Sequence, residues 1–391
     1  MINKIKSIAN SNLNKIVQAR RFIHQNPELS FQEFNTSKYI QKFLKEHQIP
    51  FEAGILKTGV VAKIEGKNPS DRLVVLRADI DALPVQEENN INYRSNKKGI
   101  MHACGHDVHT ASLLGTALII QELKKDFSGT VKFIFQPGEE KLPGGAKLMI
   151  KEGVFNENPN SCYAQHVYPD LPAGKVGFKS GIYMASADEL HIKIIGKGGH
   201  AALPHKLNDP VLMAAQLINS LQQIVSRNNN PNNPSVLSFG YIQGNGATNV
   251  IPNVVELKGT FRTFDEGWRF DAHQKMKAIA DGICKSAGGK CEFEIKVGYP
   301  FLVNDNNVTQ NAKSAAIDYL GIDKVVDLEL RMTAEDFAYF SQVAPSCFYR
   351  LGTGNNNNKW NLHSPTFNID EEAFSISSGL MAYITMKDLL K

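Results

Sequence analysis

What this chain of 391 residues lacks narrows its roles first. No stretch approaches 18 consecutive apolar residues, so no membrane-spanning helix is expected. Net charge is only +4, and no run of five or six basic residues occurs, so nucleic acid is not an expected partner. Cysteine is scarce. Cys104, Cys162, Cys284, Cys291 and Cys347 are irregularly spaced and contain no CxxC pair, which argues against a zinc ribbon or a redox motif. Residues 1–21 carry charges and Asn every few positions, without the apolar core of a signal peptide, and the odd, irregular cysteines fit a reducing cytoplasm best, with export by another route as the alternative. What is present is ordinary globular usage, 42% hydrophobic, enough apolar mass for a sizeable core.

The apolar spacing predicts two opening helices: one over residues 5–24, the other starting from a Ser30-Phe31-Gln32-Glu33 capping box and ending before Pro50. Strand-type runs follow at 59–64, 73–77, 131–135 and 162–167, with a helix over 108–124. Strands alternating with helices predict an α/β domain with a mainly parallel sheet, its active site at the loops leaving the strands. The pattern then changes. Strands at 189–195, 236–242, 254–262 and 292–297, with helices at 209–226 and 266–286, give the order βαββαβ of a ferredoxin-like α+β unit. After Tyr299-Pro300 the α/β pattern resumes. The expectation is a discontinuous catalytic domain, 1–185 and 298–391, interrupted by an inserted domain, 186–297. The one low-complexity stretch, 355–358, reads as a surface loop.

Residues 101–109 are the densest chemical stretch, with three imidazoles, the Cys104 thiol and the Asp107 carboxylate just before a helix. Cys104 and His106 can reach one metal ion from an extended loop, with Gly105 permitting an unusual backbone conformation between them. Asp107 is placed to cap the helix or to hold a ligand. The alternative is a buried thiol beside a helix-capping His/Asp cluster. Glu139 and Glu140 end an apolar strand, where neighbouring side chains diverge; one carboxylate can bind metal while the other faces a water as general base. Alone, such a pair is equally a solvated surface feature. Asp79 and Asp81 also sit at a strand end, and there a simple turn is an equal reading. His166 and His363, taken singly, read as ordinary histidines. His200 follows a Gly-rich turn, but with no GxxxxGK and no GxGxxG at a strand-to-helix turn, nucleotide binding is not expected.

Taken together these motifs resemble the aminoacylase, hippurate hydrolase and auxin-conjugate amidohydrolase family of dinuclear metallo-peptidases. The matching blocks run in order over about 290 residues: 77–84 (RADIDALP), 101–109 (MHACGHDVH), 135–140 (FQPGEE), His166-Val167, 198–205 (GGHAALPH), 249–252 (NVIP), 335–337 (EDF) and 362–365 (LHSP). The resemblance implies a metallo-exopeptidase-like catalytic domain with the inserted domain as lid and dimerisation surface. It implies five metal ligands, Cys104, His106, Glu140, His166 and His363, holding two divalent ions per subunit. Manganese is favoured, with zinc, nickel or cobalt as alternatives. It implies Glu139 as general base. His200 resembles a residue that reaches a neighbouring subunit's active site to steady the oxyanion, and Asp81 joins these two as catalytic. Asn249 and Arg262 resemble contacts to the substrate carboxylate or carbonyl. Two departures, Lys141-Leu142-Pro143 after the glutamate pair and Ala334 before Glu335-Asp336, bear on pocket shape more than on metal binding.

The expected reaction is hydrolysis of the amide of an N-acyl amino acid (N-acetyl, N-benzoyl or similar) by a homodimer or homotetramer. A dipeptidase or carboxypeptidase of the same superfamily, acting on a dipeptide or peptide, is the nearest alternative. A thiol hydrolase built on Cys104 with His106 or His102, or a non-catalytic binding protein, are more distant ones.

Overall fold

The computed structural model describes residues 1–355 and 360–390, so positions 356–358 of the predicted low-complexity loop lie outside the described residues. Among the described residues no helix is long and apolar enough to cross a membrane. The chain divides into two compact units. One comprises Met1–Tyr183, Val303–Glu329 and Asp336–Lys391; the other comprises Met184–Leu302 and Leu330–Glu335. The short return of residues 330–335 to the second unit has no counterpart in the apolar pattern.

The first unit is built on an eight-stranded sheet in the order Phe51–Ile55, Gly59–Glu65, Ser128–Gln136, Asn68–Asp79, Ser161–Pro172, Ser346–Gly354, Val176–Phe178, Val325–Asp327. The four central strands run parallel, and antiparallel pairings occur towards both edges. The central strands are nearly continuous apolar runs because both faces are covered. Ser346–Gly354, for example, is buried at every position. Helix His106–Glu122 is buried from His106 through Ile120, the signature of a helix packed all round. It packs with helices Ile2–Gln25 and Phe374–Leu389.

The expected capping box is not formed. Helix Phe34–Glu46 starts after Glu33, with no side-chain cap from that residue. Its free N–H groups at Asn35 and Thr36 instead donate to Glu28, at 2.8 and 3.0 Å. An upstream carboxylate has taken over the cap, which sequence spacing alone does not reveal.

The second unit has a four-stranded antiparallel sheet in the order Ser235–Gly244, Val254–Thr263, Asp188–Ile195, Lys290–Val297. Strand Asp188–Ile195 alternates, and its Leu190, Ile192 and Ile194 enter a core with Met213, Leu217 and Met276 from the two helices. Helix Pro210–Leu221 is started by Asp209, which accepts from Val211 and Leu212 N–H with Pro210 at the first position. Beyond Leu221 it passes into a π-helical turn, Ile224–Asn228, so helical backbone reaches past the predicted end at 226. A two-residue antiparallel pairing between distant segments, Gly199–His200 with Val250–Ile251, was too short to be legible as strands.

Asp188 anchors this unit. Its carboxylate accepts from Arg269 Nη2 at 2.6 Å and Nε at 3.0 Å, and lies 2.7 Å from His273 Nε2, all three residues being buried. Burial would raise its pKa; the His273 and Arg269 contacts outweigh burial and hold it below the usual range. Asp188→Asn is expected to cost about 3 kcal/mol at neutral pH, because it removes the buried counter-charge of Arg269 and leaves its guanidinium only the partly exposed Glu266 carboxylate. A depressed carboxylate pKa contributes stability above the unfolded value of about 3.9, and that contribution fades as pH falls. The gap between wild type and Asp188→Asn in denaturant midpoint should therefore shrink in acid. A gap that widens below pH 4 would contradict this.

Candidate active site

The motif residues gather at the carboxyl ends of the parallel strands, where an open α/β sheet places its ligands. Asp79 closes strand Asn68–Asp79 and Asp81 lies just beyond; Glu139 and Glu140 follow Ser128–Gln136; His166 lies within Ser161–Pro172. Residues 101–105 lead directly into helix His106–Glu122. Gly105 sits at φ 84, and a Cβ there would come within 2.5 Å of the Val167 side chain, so only glycine lets the Cys104 loop approach His166 this closely. His363 arrives from a distant segment. Its N–H donates to the Ala103 carbonyl at 2.8 Å, and its backbone is held at φ 61, a left-handed conformation costly for a non-glycine residue.

These segments bring together five side chains. Cys104 Sγ lies 3.5 Å from His166 Nε2 and 3.3 Å from His363 Nε2. Glu140 Oε1 lies 3.5 Å from His363 Nε2 and 3.8 Å from His106 Nε2. Two triads, Cys104–His106–His166 and Cys104–Glu140–His363, each have their donor atoms within 4.8 Å of one another and share Cys104. His106 Nε2 and Glu140 Oε1 are buried without a hydrogen-bond partner. Orphaned buried polar atoms are costly, and here they point at one another's neighbourhood from two elements.

The hydrogen bonds around the cluster fix its tautomers. His166 Nδ1 lies 2.8 Å from the Val167 carbonyl, which can only accept, so Nδ1 donates and Nε2 presents its lone pair. Burial and the Arg350 charge hold His166 well below the usual imidazole range, keeping it neutral. His106 Nδ1 faces Asp81 Oδ1 at 3.2 Å. Burial would lower the His106 pKa, but Asp79, Asp81 and Glu140 raise it to about 10. The Cys104 thiol is pushed well up by burial and by the Glu140 and Glu139 charges. The local field therefore calls for a cation among these groups and opposes a bare thiolate. A bound divalent ion satisfies the first condition and reverses the second.

Glu139 is buried, and the Asp336 N–H points at its Oε1 from 3.3 Å. Asp336 is itself fixed by Arg77 Nη2 at 2.8 Å, by Gln136 Nε2 at 2.7 Å and by the Ala146 N–H at 2.9 Å. Arg77 also donates to Asp79 at 2.7 Å, and Asp79 lies 2.6 Å from His109 Nδ1. His109 Nε2 accepts the Val167 N–H at 2.9 Å, which pins the backbone beside His166. Arg77, His109, Gln136 and Asp336 lie within recognisable sequence blocks without any role legible there, and Asp79 stood only as an even choice between a turn and a functional carboxylate. Their spacing within each block was visible, whereas their pairing across strands was not.

The three imidazoles of residues 101–109 separate. His106 faces the cluster, His109 faces Asp79, and His102 is buried with neither ring nitrogen hydrogen-bonded. Asp107 neither caps the helix nor touches a candidate ligand. It accepts from Arg20 Nε at 2.7 Å and lies 2.8 Å from His24 Nδ1 on the first helix. His200, Asn249 and Arg262 belong to the second unit. His200 and Asn249 are exposed and adjoin through this short antiparallel pairing, the Ala201 N–H donating to the Asn249 carbonyl at 3.0 Å. Arg262 is half-buried on strand Val254–Thr263.

Residues 75–387 match the model of peptidase family M20/M25/M40. An N-acetylcysteine deacetylase of Bacillus subtilis is 40% identical over 373 residues, covering 95% of this chain and 96% of the relative. An N-acyl-L-amino acid amidohydrolase of Geobacillus stearothermophilus is 42% identical over 301 residues, covering 77% and 81%. Among solved structures, a dinuclear metal-binding peptidase of the M20 family from Bacillus subtilis superposes with a TM-score of 0.83 at 37% identity, covering 97% of this chain and 99% of that one. The chain belongs to the M20/M25/M40 peptidase family and is a hydrolytic enzyme with that family's mixed α/β fold.

Proposed function

We propose that this enzyme hydrolyses the amide bond of N-acyl amino acids, releasing a carboxylate and a free amino acid, with two divalent ions held by Cys104, His106, Glu140, His166 and His363. The observation that carries the proposal is the pair of triads sharing Cys104, with His106 Nε2 and Glu140 Oε1 buried and making no hydrogen bond. A thiol, imidazoles and a carboxylate together suit Mn, Zn, Co or Ni, and the resemblance set out above favours manganese. Held there, such ions would supply Lewis acidity, polarising the scissile carbonyl and lowering the pKa of a bound water from about 15.7 towards about 7. Glu139 takes the water's proton on its carboxylate and delivers it to the leaving amine; the Asp336 N–H at Oε1 sets which way that carboxylate points. Asp81 holds His106 by its Nδ1, which keeps Nε2 turned towards Glu140.

His200 is the proposed oxyanion donor, acting at the site of a neighbouring subunit, with Asn249 and Arg262 contacting the substrate carboxylate or carbonyl. The second unit is thereby a lid and dimerisation domain, and the enzyme a cytoplasmic homodimer or homotetramer. Mixing Glu139→Gln with His200→Ala under subunit exchange is expected to restore activity. Each mixed dimer then holds one site with both lesions and one with neither. Demonstrated exchange without recovery would remove the role across subunits.

The substrate assignment is tested with metal-loaded protein against N-acetyl, N-benzoyl and peptidyl amino acids, scoring released amine. Turnover of the N-acyl compounds above the peptides is expected. Preference for peptides would make it a peptidase instead.

A further inference from the structure

The Ser30–Glu33 segment reads in the sequence as a helix cap, yet neither side chain caps. Glu28 carries that duty. Glu33 is fully buried and turns the other way. Its Oε1 accepts the Phe31 N–H at 2.8 Å and the Gly138 N–H at 2.9 Å, while Oε2 accepts the Thr58 hydroxyl at 2.7 Å. Gly138 immediately precedes Glu139. At φ 65 it has no room for a Cβ, which would lie 2.3 Å from the Phe31 ring. Phe31 itself is held at φ 64, a conformation a bulky residue adopts only when its surroundings impose it. Ser30 donates to Asp81 Oδ2 at 2.6 Å, the same oxygen that accepts the Glu140 N–H at 3.0 Å. The backbone on both sides of Glu139 is thus tied, directly or through Asp81, to one four-residue segment before the second helix.

We infer that Glu33, seconded by Ser30, is a positioning residue that holds the Gly138–Glu140 backbone so that the Glu139 carboxylate meets the reacting water in register. The inference rests on the reading of Glu139 as general base. Glu33 touches neither substrate nor metal ligand; it acts through the Gly138 N–H. A carboxylate is suited to this because one oxygen can accept two converging N–H groups while the other takes a hydroxyl. Misplacing a reacting group by about 1 Å costs up to about 100-fold in rate.

The test measures kcat, KM and metal content of the full-length, metal-loaded protein as wild type, Glu33→Ala, Glu33→Gln, Glu139→Gln and the double variant Glu33→Ala/Glu139→Gln, with an N-acetyl amino acid as substrate. Glu33→Ala should lower kcat about 10–100-fold, with KM and metal content held. Glu33→Gln should recover most of that loss, since its amide oxygen keeps both N–H contacts and its amide nitrogen can donate to the Thr58 hydroxyl oxygen. In the Glu139→Gln background, Glu33→Ala should add little further loss, because residues acting through one another are non-additive. Wild-type kcat in Glu33→Ala would overturn the inference. So would a Glu33→Gln as slow as Glu33→Ala, or full additivity in the double variant. Should Glu33→Ala not fold, Glu33→Asp, one methylene too short to keep all three contacts, should still lose kcat, and an unchanged kcat there would overturn it equally. Activity surviving in Glu139→Gln would remove the general base itself. An inactive Glu139→Gln beside a fully active Glu33→Ala would remove only the positioning role.

Discussion

Replacing Glu139 by glutamine is expected to lower turnover by about 10²–10⁴, the usual worth of a positioned general base, while the metals stay bound. The substitution is nearly isosteric, and the groups that hold the loop do not depend on the Glu139 charge. The Gly138 N–H is fixed by Glu33, and the Glu140 N–H by Asp81. The proposed ligands lie elsewhere, on Cys104, His106, Glu140, His166 and His363. Loss of rate should therefore separate cleanly from loss of metal or fold. The paired measurement is metal stoichiometry and kcat on the same preparation. Wild-type turnover in a fully metallated variant would remove Glu139 from the chemistry.

Removal of metal should abolish activity altogether, and divalent metal should restore it. The competing reading, a Cys104 nucleophile paired with His106 or His102, finds a different setting: the imidazoles within 3.5 Å of the sulfur are those of His166 and His363. Electrostatics weighs against it. A reactive cysteine needs a lowered pKa, whereas burial and the neighbouring glutamates push this thiol well up. Coordination overcomes that opposition, since a metal-bound thiol is deprotonated outright. An alkylating reagent should consequently react more slowly with holo than with apo protein, where the sulfur is no longer shielded by its metal bonds. Catalysis persisting after chelation, with alkylation still inhibitory, would reverse the assignment in favour of the thiol.

Much of the candidate site was legible because its chemistry is local in sequence. Cys104 and His106 flank one glycine, Glu139 and Glu140 are adjacent at a strand end, and the alternation of strands and helices predicts an active site at loops leaving a parallel sheet. What could not be read depends on pairing between distant segments. Glu28 displacing the expected capping box is one such case; the Arg77–Asp336–Gln136 contacts are another. His166 and His363 were ordinary histidines on spacing alone, and only the ordered set of motifs lifted them. The structure adds a physical reason for each: a carbonyl that fixes the His166 tautomer, and a left-handed backbone tied to Ala103 that holds His363 in place. Asp107 shows the opposite failure. Its place beside His106 suggested a cap or a ligand support, yet its carboxylate is used by Arg20 and His24 on another helix.

The central claim is that hydrolysis depends on metal held by the Cys104, His106, Glu140, His166 and His363 cluster. It is tested most directly by titrating metal-stripped protein with a divalent ion while following amine release from an N-acetyl amino acid. The account predicts no release at zero metal, a rise to a plateau at two equivalents per chain, and the same two equivalents taken up by Glu139→Gln without turnover. Amine release from metal-free protein, or a plateau reached without metal uptake by the chain, would contradict it.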